Sequence, residues 1–131
     1  MPERSMDWLK QAEKDLRHAK NSIELQDYEW SCFAAQQAAE KAVKALYQKK
    51  HMDAWGHTIS ILLSELNAHI SLTIPDTIID EAKILDKHYI PARYPNGFES
   101  GAPFYFYTEK EAQEAVRIAE HIIEYCKGHI G

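Results

Sequence analysis

The sequence predicts an all-α protein, an up-and-down bundle of four long helices with one additional short helix and a long aromatic loop before the last helix. Two observations carry that prediction. Apolar residues recur at intervals of three and four through most of the chain, and no strand-like alternation competes with them. The exception is His88 to Tyr107, HYIPARYPNGFESGAPFYFY, which cannot be helical. There Pro91, Pro95 and Pro103 remove backbone donors, and Gly97 and Gly101 loosen the chain between them.

The first helix is expected between Ser5 and about Leu25, where Leu9, Ala12, Leu16, Ala19 and Ile23 form one apolar stripe. Lys10, Glu13, Lys14 and Arg17 take its solvated faces. The second is expected from about Tyr28 to Lys50, with Asp27 as N-cap and Glu29 at the positive helix start. Its centre, CFAAQQAAEKAVKALY, is dominated by strong helix formers. After Gly56 a short amphipathic helix carries Ile59, Leu62, Leu63 and Leu66. Pro75 and Asp76 open the fourth helix, whose Ile78, Ala82, Leu85 and Tyr89 face one way until Pro91 stops it. Thr108 with Glu111 is a capping-box signature for the last helix, which repeats apolar residues from Ala112 to Cys126.

A chain of 131 residues suits a single helical domain, 1–131, able to bury roughly two thirds of its unfolded surface. No apolar run approaches the ~20 residues that span a bilayer, and MPERSMDW lacks a signal-peptide core, so no membrane contact and a cytoplasmic location are expected. Cys32 and Cys126 lie in helical apolar patterns and read as buried free thiols. A net charge of −5 and a pI near 5.8 argue against extensive nucleic-acid binding, although a small basic site is compatible with them. RNA is therefore a possible but not favoured partner.

Disordered linkers are poor in aromatics, whereas this loop holds Tyr89, Tyr94, Phe98, Phe104, Tyr105, Phe106 and Tyr107. It reads as an ordered loop packed on the bundle, and long loops inside compact domains are usually functional. Arg93, in a stiff stretch between Pro91 and Pro95, has little entropy to lose on meeting a carboxylate or phosphate. A structural bridge from Arg93 to Asp86 or to a helix C-terminus is an equal alternative. Tyr94, Phe98, Phe104 and Tyr107 either stack a base or close the open end of the bundle.

On helix two, Ala35, Ala38, Ala39, Ala42 and Ala45 allow close helix approach, while Phe33, Gln37, Glu40 and Lys44 share a neighbouring stripe. Gln37, Lys41 and Lys44 either line the bundle edge or border a polar pocket under the aromatic loop, with Lys41 or Lys44 meeting a phosphate. Trp30, Phe33 and the alanine face exceed what one side of a bundle needs, so a two-fold homodimer is expected. The seven histidines show no ligand spacing, so neither a metal nor another cofactor is expected. His57 reads as a capping or packing residue. His88, near Asp86 and Arg93, is either satisfied by the loop backbone or able to transfer protons.

Four blocks in order, DWLKQAEKDLRHA, CFAAQQAAEKAVKAL, WGHTISILL and LDKHYIPARYPN, resemble the HEPN domain over nearly the whole chain. The resemblance implies a helical bundle, usually dimeric, like the C-terminal domain of kanamycin nucleotidyltransferase. It also implies a prokaryotic protein that binds nucleotides and partners a minimal nucleotidyltransferase in a toxin–antitoxin pair. Many members are metal-independent ribonucleases whose motif is an Arg, a polar residue after it and a His four to six positions on. Arg93 is followed by Tyr94, Pro95, Asn96, Gly97, Phe98 and Glu99, and Arg4, Arg17 and Arg117 are likewise read as lacking such a His. The expected ligand site is thus Arg93, Tyr94, His88, Gln37, Lys41 and Lys44. A catalytic role would fall to Arg93 and His88 in an unusual arrangement, and the remaining alternative is a dimerisation scaffold without ligand.

Overall fold

Five helices follow in chain order: α1 Ser5–Glu24, α2 Tyr28–Lys49, α3 Ile59–His69, α4 Asp76–Asp86 and α5 Glu109–Ile130. The computed structural model describes residues 3–70 and 72–131; Met1 and Pro2, the first residues of the MPERSMDW segment, and Ser71 lie outside them. No strand occurs among the described residues, and none of their helices is long and apolar enough to cross a membrane.

Small side chains decide how the long helices meet. Ala35, Ala38, Ala39, Ala42 and Ala45 of α2 are all fully buried, so its neighbours can approach closely. α2 packs on α1 and on α5, which also touch each other. Leu9, Ala12 and Ala19 come from α1, and Ala112, Ala115, Ala119, Ile122 and Cys126 from α5. The alanine face is used up inside the chain and is not left over for a second copy. Trp30, 48% exposed, and the half-buried Phe33 are what remains of the apolar surface on which a dimer was expected.

α3 and α4 are eleven residues each and pack on one another, with α4 also on α5. The start of α3 is satisfied from outside, because Thr58 at its N-cap makes no side-chain bond. Instead the Asp86 carboxylate accepts Ile59 N at 2.6 Å, Ser60 N at 3.2 Å and Ser60 Oγ at 2.6 Å. Asp86 therefore ties the end of α4 to the start of α3, filling orphan donors that a helix cannot fill itself. It is not available to His88 or Arg93, as the sequence suggested.

α4 ends at Asp86, earlier than its apolar pattern through Tyr89 implied, and turns carry the chain on to Arg93. A helix running on into Pro91 would lose a backbone bond and clash with the preceding turn. Two short 3₁₀ turns, Pro95–Gly97 and Pro103–Tyr105, shape the rest of the loop. Phe98 and Phe106 stack at 4.6 Å between ring centroids. Gly101 has φ +86°, and a Cβ there would lie 3.0 Å from the Phe106 ring, so both its backbone and its bareness are used. His88 is buried with its Nδ1 3.1 Å from the Tyr107 hydroxyl. Thr108 and Glu111 form the capping box expected for α5. Asp27 occupies the N-cap of α2 but its side chain makes no capping bond.

Removing the Asp86 carboxylate strands three donors in one place. Asp86→Ala should cost about 1–3 kcal/mol in urea denaturation, the scale for orphaning hydrogen-bonded groups; an unchanged midpoint would show that α3 caps itself. Burial pushes the His88 imidazole below the usual His range, with the nearby Glu111 and Glu114 charges opposing that shift. The unfolded chain therefore takes up a proton that the folded chain resists. This contribution is fully present above the unfolded His value of ~6.5 and is lost as the pH falls below it. The melting temperature of the wild type should drop more steeply from about pH 7.5 to 5.5 than that of His88→Gln. Parallel slopes would contradict it.

Candidate functional site

Phe33 of α2 meets Tyr89 in the turn that follows α4, and Arg93 lies against both rings. Arg93 Nε donates to the Tyr89 carbonyl at 2.9 Å. Its guanidinium carbon lies 4.3 Å from the centre of the Phe33 ring, 4.7 Å from Tyr89 and 5.1 Å from Tyr94. A cation among three aromatic faces is attracted by each and loses part of its water. Only Nε is committed to a hydrogen bond within the described residues, so the terminal nitrogens keep their donors for an oxyanion. Arg93 thus bridges neither Asp86 nor a helix C-terminus but a carbonyl of the turn after α4, and this bond leaves its other nitrogens for a ligand.

A second group abuts the same tyrosine. His57 stacks on Tyr89 with centroids 4.9 Å apart, and its Nδ1 lies 3.0 Å from the Glu40 carboxylate. Glu40 is buried, 5% exposed, which demands partners for its charge. It receives them from Lys44 Nζ at 3.0 Å and Gln36 Nε2 at 3.1 Å as well. Gln37 donates to Gln36 at 2.8 Å and so extends this amide chain toward the surface. A carboxylate that fixes Nδ1 sets the orientation of an imidazole and leaves Nε2 for other work. Lys44, committed to Glu40, is no free phosphate ligand.

Of the residues expected to act together, Arg93 and Tyr94 are in contact, whereas Gln37 and Lys44 reach only the Gln36 and Glu40 side chains of α2. Lys41 instead pairs with Asp15 at 2.5 Å and lines a 260 Å³ groove with Trp30, Phe33 and Gln37. None of Gln37, Lys41 and Lys44 borders the cavity under the aromatic loop; Gln37 and Lys41 share the Trp30 groove instead. His88 lies in that other cavity with Tyr107, away from the Arg93 group, which removes the expected Arg93–His88 pairing. Phe98 is taken up by Phe106 and Tyr107 by His88, Phe104 lies tilted against Tyr105 and stays exposed, and Tyr94 is the one of the four beside Arg93.

His57, Glu40 and Tyr89 were not expected in a site. The signal for them was Glu40 beside the buried alanines of α2, where a carboxylate that loses its water has to find donors. One Arg–His interval of four positions also exists, contrary to expectation: Arg117 and His121 both contact Glu81, at 3.4 and 2.7 Å. The residue after Arg117 is the buried Ile118, so the polar member of the ribonuclease motif is missing there. Cys32 and Cys126 are buried free thiols, both pushed up to about 12 by burial, and so stay protonated.

The HEPN domain model matches residues 5–129. A Methanocaldococcus jannaschii protein described as "Putative toxin MJ1304" is 30% identical over 129 residues, covering 92% of this chain and 84% of that protein. The crystal structure of TT1696 from Thermus thermophilus superposes with a TM-score of 0.94 at 44% identity, over 98% of this chain and 99% of that one. ST0689, an archaeal HEPN homologue, gives 0.84 at 42% identity with both chains fully covered. TM0613, a HEPN domain protein from Thermotoga maritima, gives 0.75 at 38% identity over 93% of this chain and 95% of that one. A helical fold shared along almost its entire length, together with the family match, makes this chain a member of the HEPN domain family.

Proposed function

We propose that this HEPN domain binds the phosphate of a nucleotide through Arg93, with the base against Tyr94. One observation carries the reading: the Arg93 guanidinium is held by Nε on the Tyr89 carbonyl and by three rings, while its terminal nitrogens have no partner among the described residues. Such a fork is preorganised for two oxygens of one anion, and little side-chain entropy is lost when they arrive. The exposed Tyr94 ring supplies a stacking surface that accepts any base. The reading includes a homodimer, for which the exposed Trp30 offers apolar surface. It also includes a toxin–antitoxin-like setting, for which the support is the description of the M. jannaschii relative, and within it a minimal nucleotidyltransferase partner, which rests on the sequence resemblance alone.

Calorimetric titration with a nucleotide panel tests the binding. Arg93→Ala should weaken affinity by about 1–3 kcal/mol, the scale of a charge-assisted hydrogen bond. Tyr94→Ala should cost a comparable ~1–3 kcal/mol through lost stacking. If wild type takes up no nucleotide at millimolar concentration while Arg93→Ala melts well below it, Arg93 is structural and the reading fails.

A second reading, metal-independent cleavage of RNA, is favoured by one contact, the Glu40 carboxylate on His57 Nδ1 beside the Arg93 group. There His57 would move the proton and Arg93 would hold the phosphate. Incubation with single-stranded and structured RNA in EDTA separates the two. The binding reading expects no turnover; the cleavage reading expects products that vanish in both His57→Ala and Arg93→Ala and persist in His88→Gln.

A further inference from the structure

We propose that the cavity beneath the aromatic loop is a second binding site, taking an organic ammonium ion with a flat apolar body. The cavity has a volume of about 390 Å³, within the range of small-molecule sites. Its lining includes none of Phe33, Glu40, His57, Tyr89 and Arg93, so it is separate from the nucleotide reading. One wall is the Phe98–Phe106 stack and another is Pro91. Both are held by close approach: a Cβ on Gly97 would come within 3.3 Å of Pro91, and one on Gly101 within 3.0 Å of Phe106.

The polar groups select the ligand's charge. Glu111 and Glu114, one turn apart on α5, both line the cavity. Glu111 spends Oε1 on Thr108 N and Oγ1, each at 3.1 Å, and keeps Oε2 free; Glu114 makes no hydrogen bond within the described residues. Lys87 also lines the cavity with the opposite sign. Two carboxylates against one ammonium leave the charged lining net negative.

His88 shows that the space is polar at depth. It is 9% exposed, and Nδ1 is engaged by Tyr107 while Nε2 has no partner among the described residues. Tyr125 Oη is the only fully enclosed side-chain polar atom among the described residues that lacks a bond. The free His88 nitrogen must therefore reach open space, and the cavity is the space that His88 lines. Burial keeps this imidazole neutral near pH 7, so it does not compete with a bound cation. Aromatic walls below a pair of carboxylates favour a cation that carries its own apolar surface over a hydrated metal ion or an anion.

Phenethylammonium is a suitable probe and phenylacetate its opposite-charge counterpart. Titration of the full chain at pH 7.5, followed by calorimetry and by NMR shifts at His88 and Tyr107, should show saturable binding of the ammonium. Glu114→Gln, at an exposed position, should keep its melting temperature and weaken that binding about tenfold. Phenylacetate should bind at least about tenfold more weakly, and Arg93→Ala should leave the ammonium isotherm unchanged. Absence of saturation up to about 10 mM, equal affinity for phenylacetate, or an unchanged isotherm in Glu114→Gln would each overturn the proposal. Loss of ammonium binding in Arg93→Ala would overturn the separateness of the two sites. Loss of nucleotide binding alone would leave this one standing.

Discussion

The burial of Glu40 is the interaction on which the arrangement around α2 depends. α2 is covered by α1 and α5 through alanines, which fixes its rotation and leaves one edge for everything else. A carboxylate at that edge, almost without water, is tolerable only if several donors converge on it. Lys44, Gln36 and His57 do so, and His57 comes from the connection before α3. Satisfying one buried charge thus brings a separate segment of chain onto α2, and the ring of Tyr89 onto His57. Asp86, three residues before Tyr89, secures the same junction by capping α3.

The early end of α4 then sets which residues meet which helix. His88 and Tyr89 are neighbours in sequence, yet one turns to Tyr107 and the cavity bordered by α5, and the other to His57 and Arg93. The turns before Pro91 let consecutive side chains part in this way. The same short segment therefore contributes to both the aromatic cage around Arg93 and the carboxylate-lined cavity, which share no side chain.

Much of the fold was legible because helices announce themselves locally. The apolar intervals located all five, and Thr108 with Glu111 marked the start of α5 from spacing alone. What the intervals could not tell was where α4 stops, since Leu85 and Tyr89 keep the helical period while Pro91 forbids the backbone to follow it. Arg93 stood out because a lone guanidinium among prolines and aromatics is conspicuous. Its partners did not, because Phe33, His57 and Tyr89 lie on three different segments and only folding joins them. His88 was misplaced for the same reason. Nearness to Arg93 in sequence says little when a turn sends the two side chains to opposite sides. The histidine that does stand beside the Arg93 group is 36 positions earlier in the chain.

The central claim is that Arg93 holds an anion with nitrogens the fold leaves free. Arginine side-chain ¹⁵N NMR tests it most directly, since Arg93 can be assigned against Arg4, Arg17 and Arg117. On addition of ATP, the Arg93 terminal N–H signals should shift and their rotation about the guanidinium bond should slow, while Nε, already held by the Tyr89 carbonyl, changes little. If the ATP-dependent shifts fall on the other arginines and Arg93 stays where it was, the aromatic cage is a structural clamp and the account is wrong.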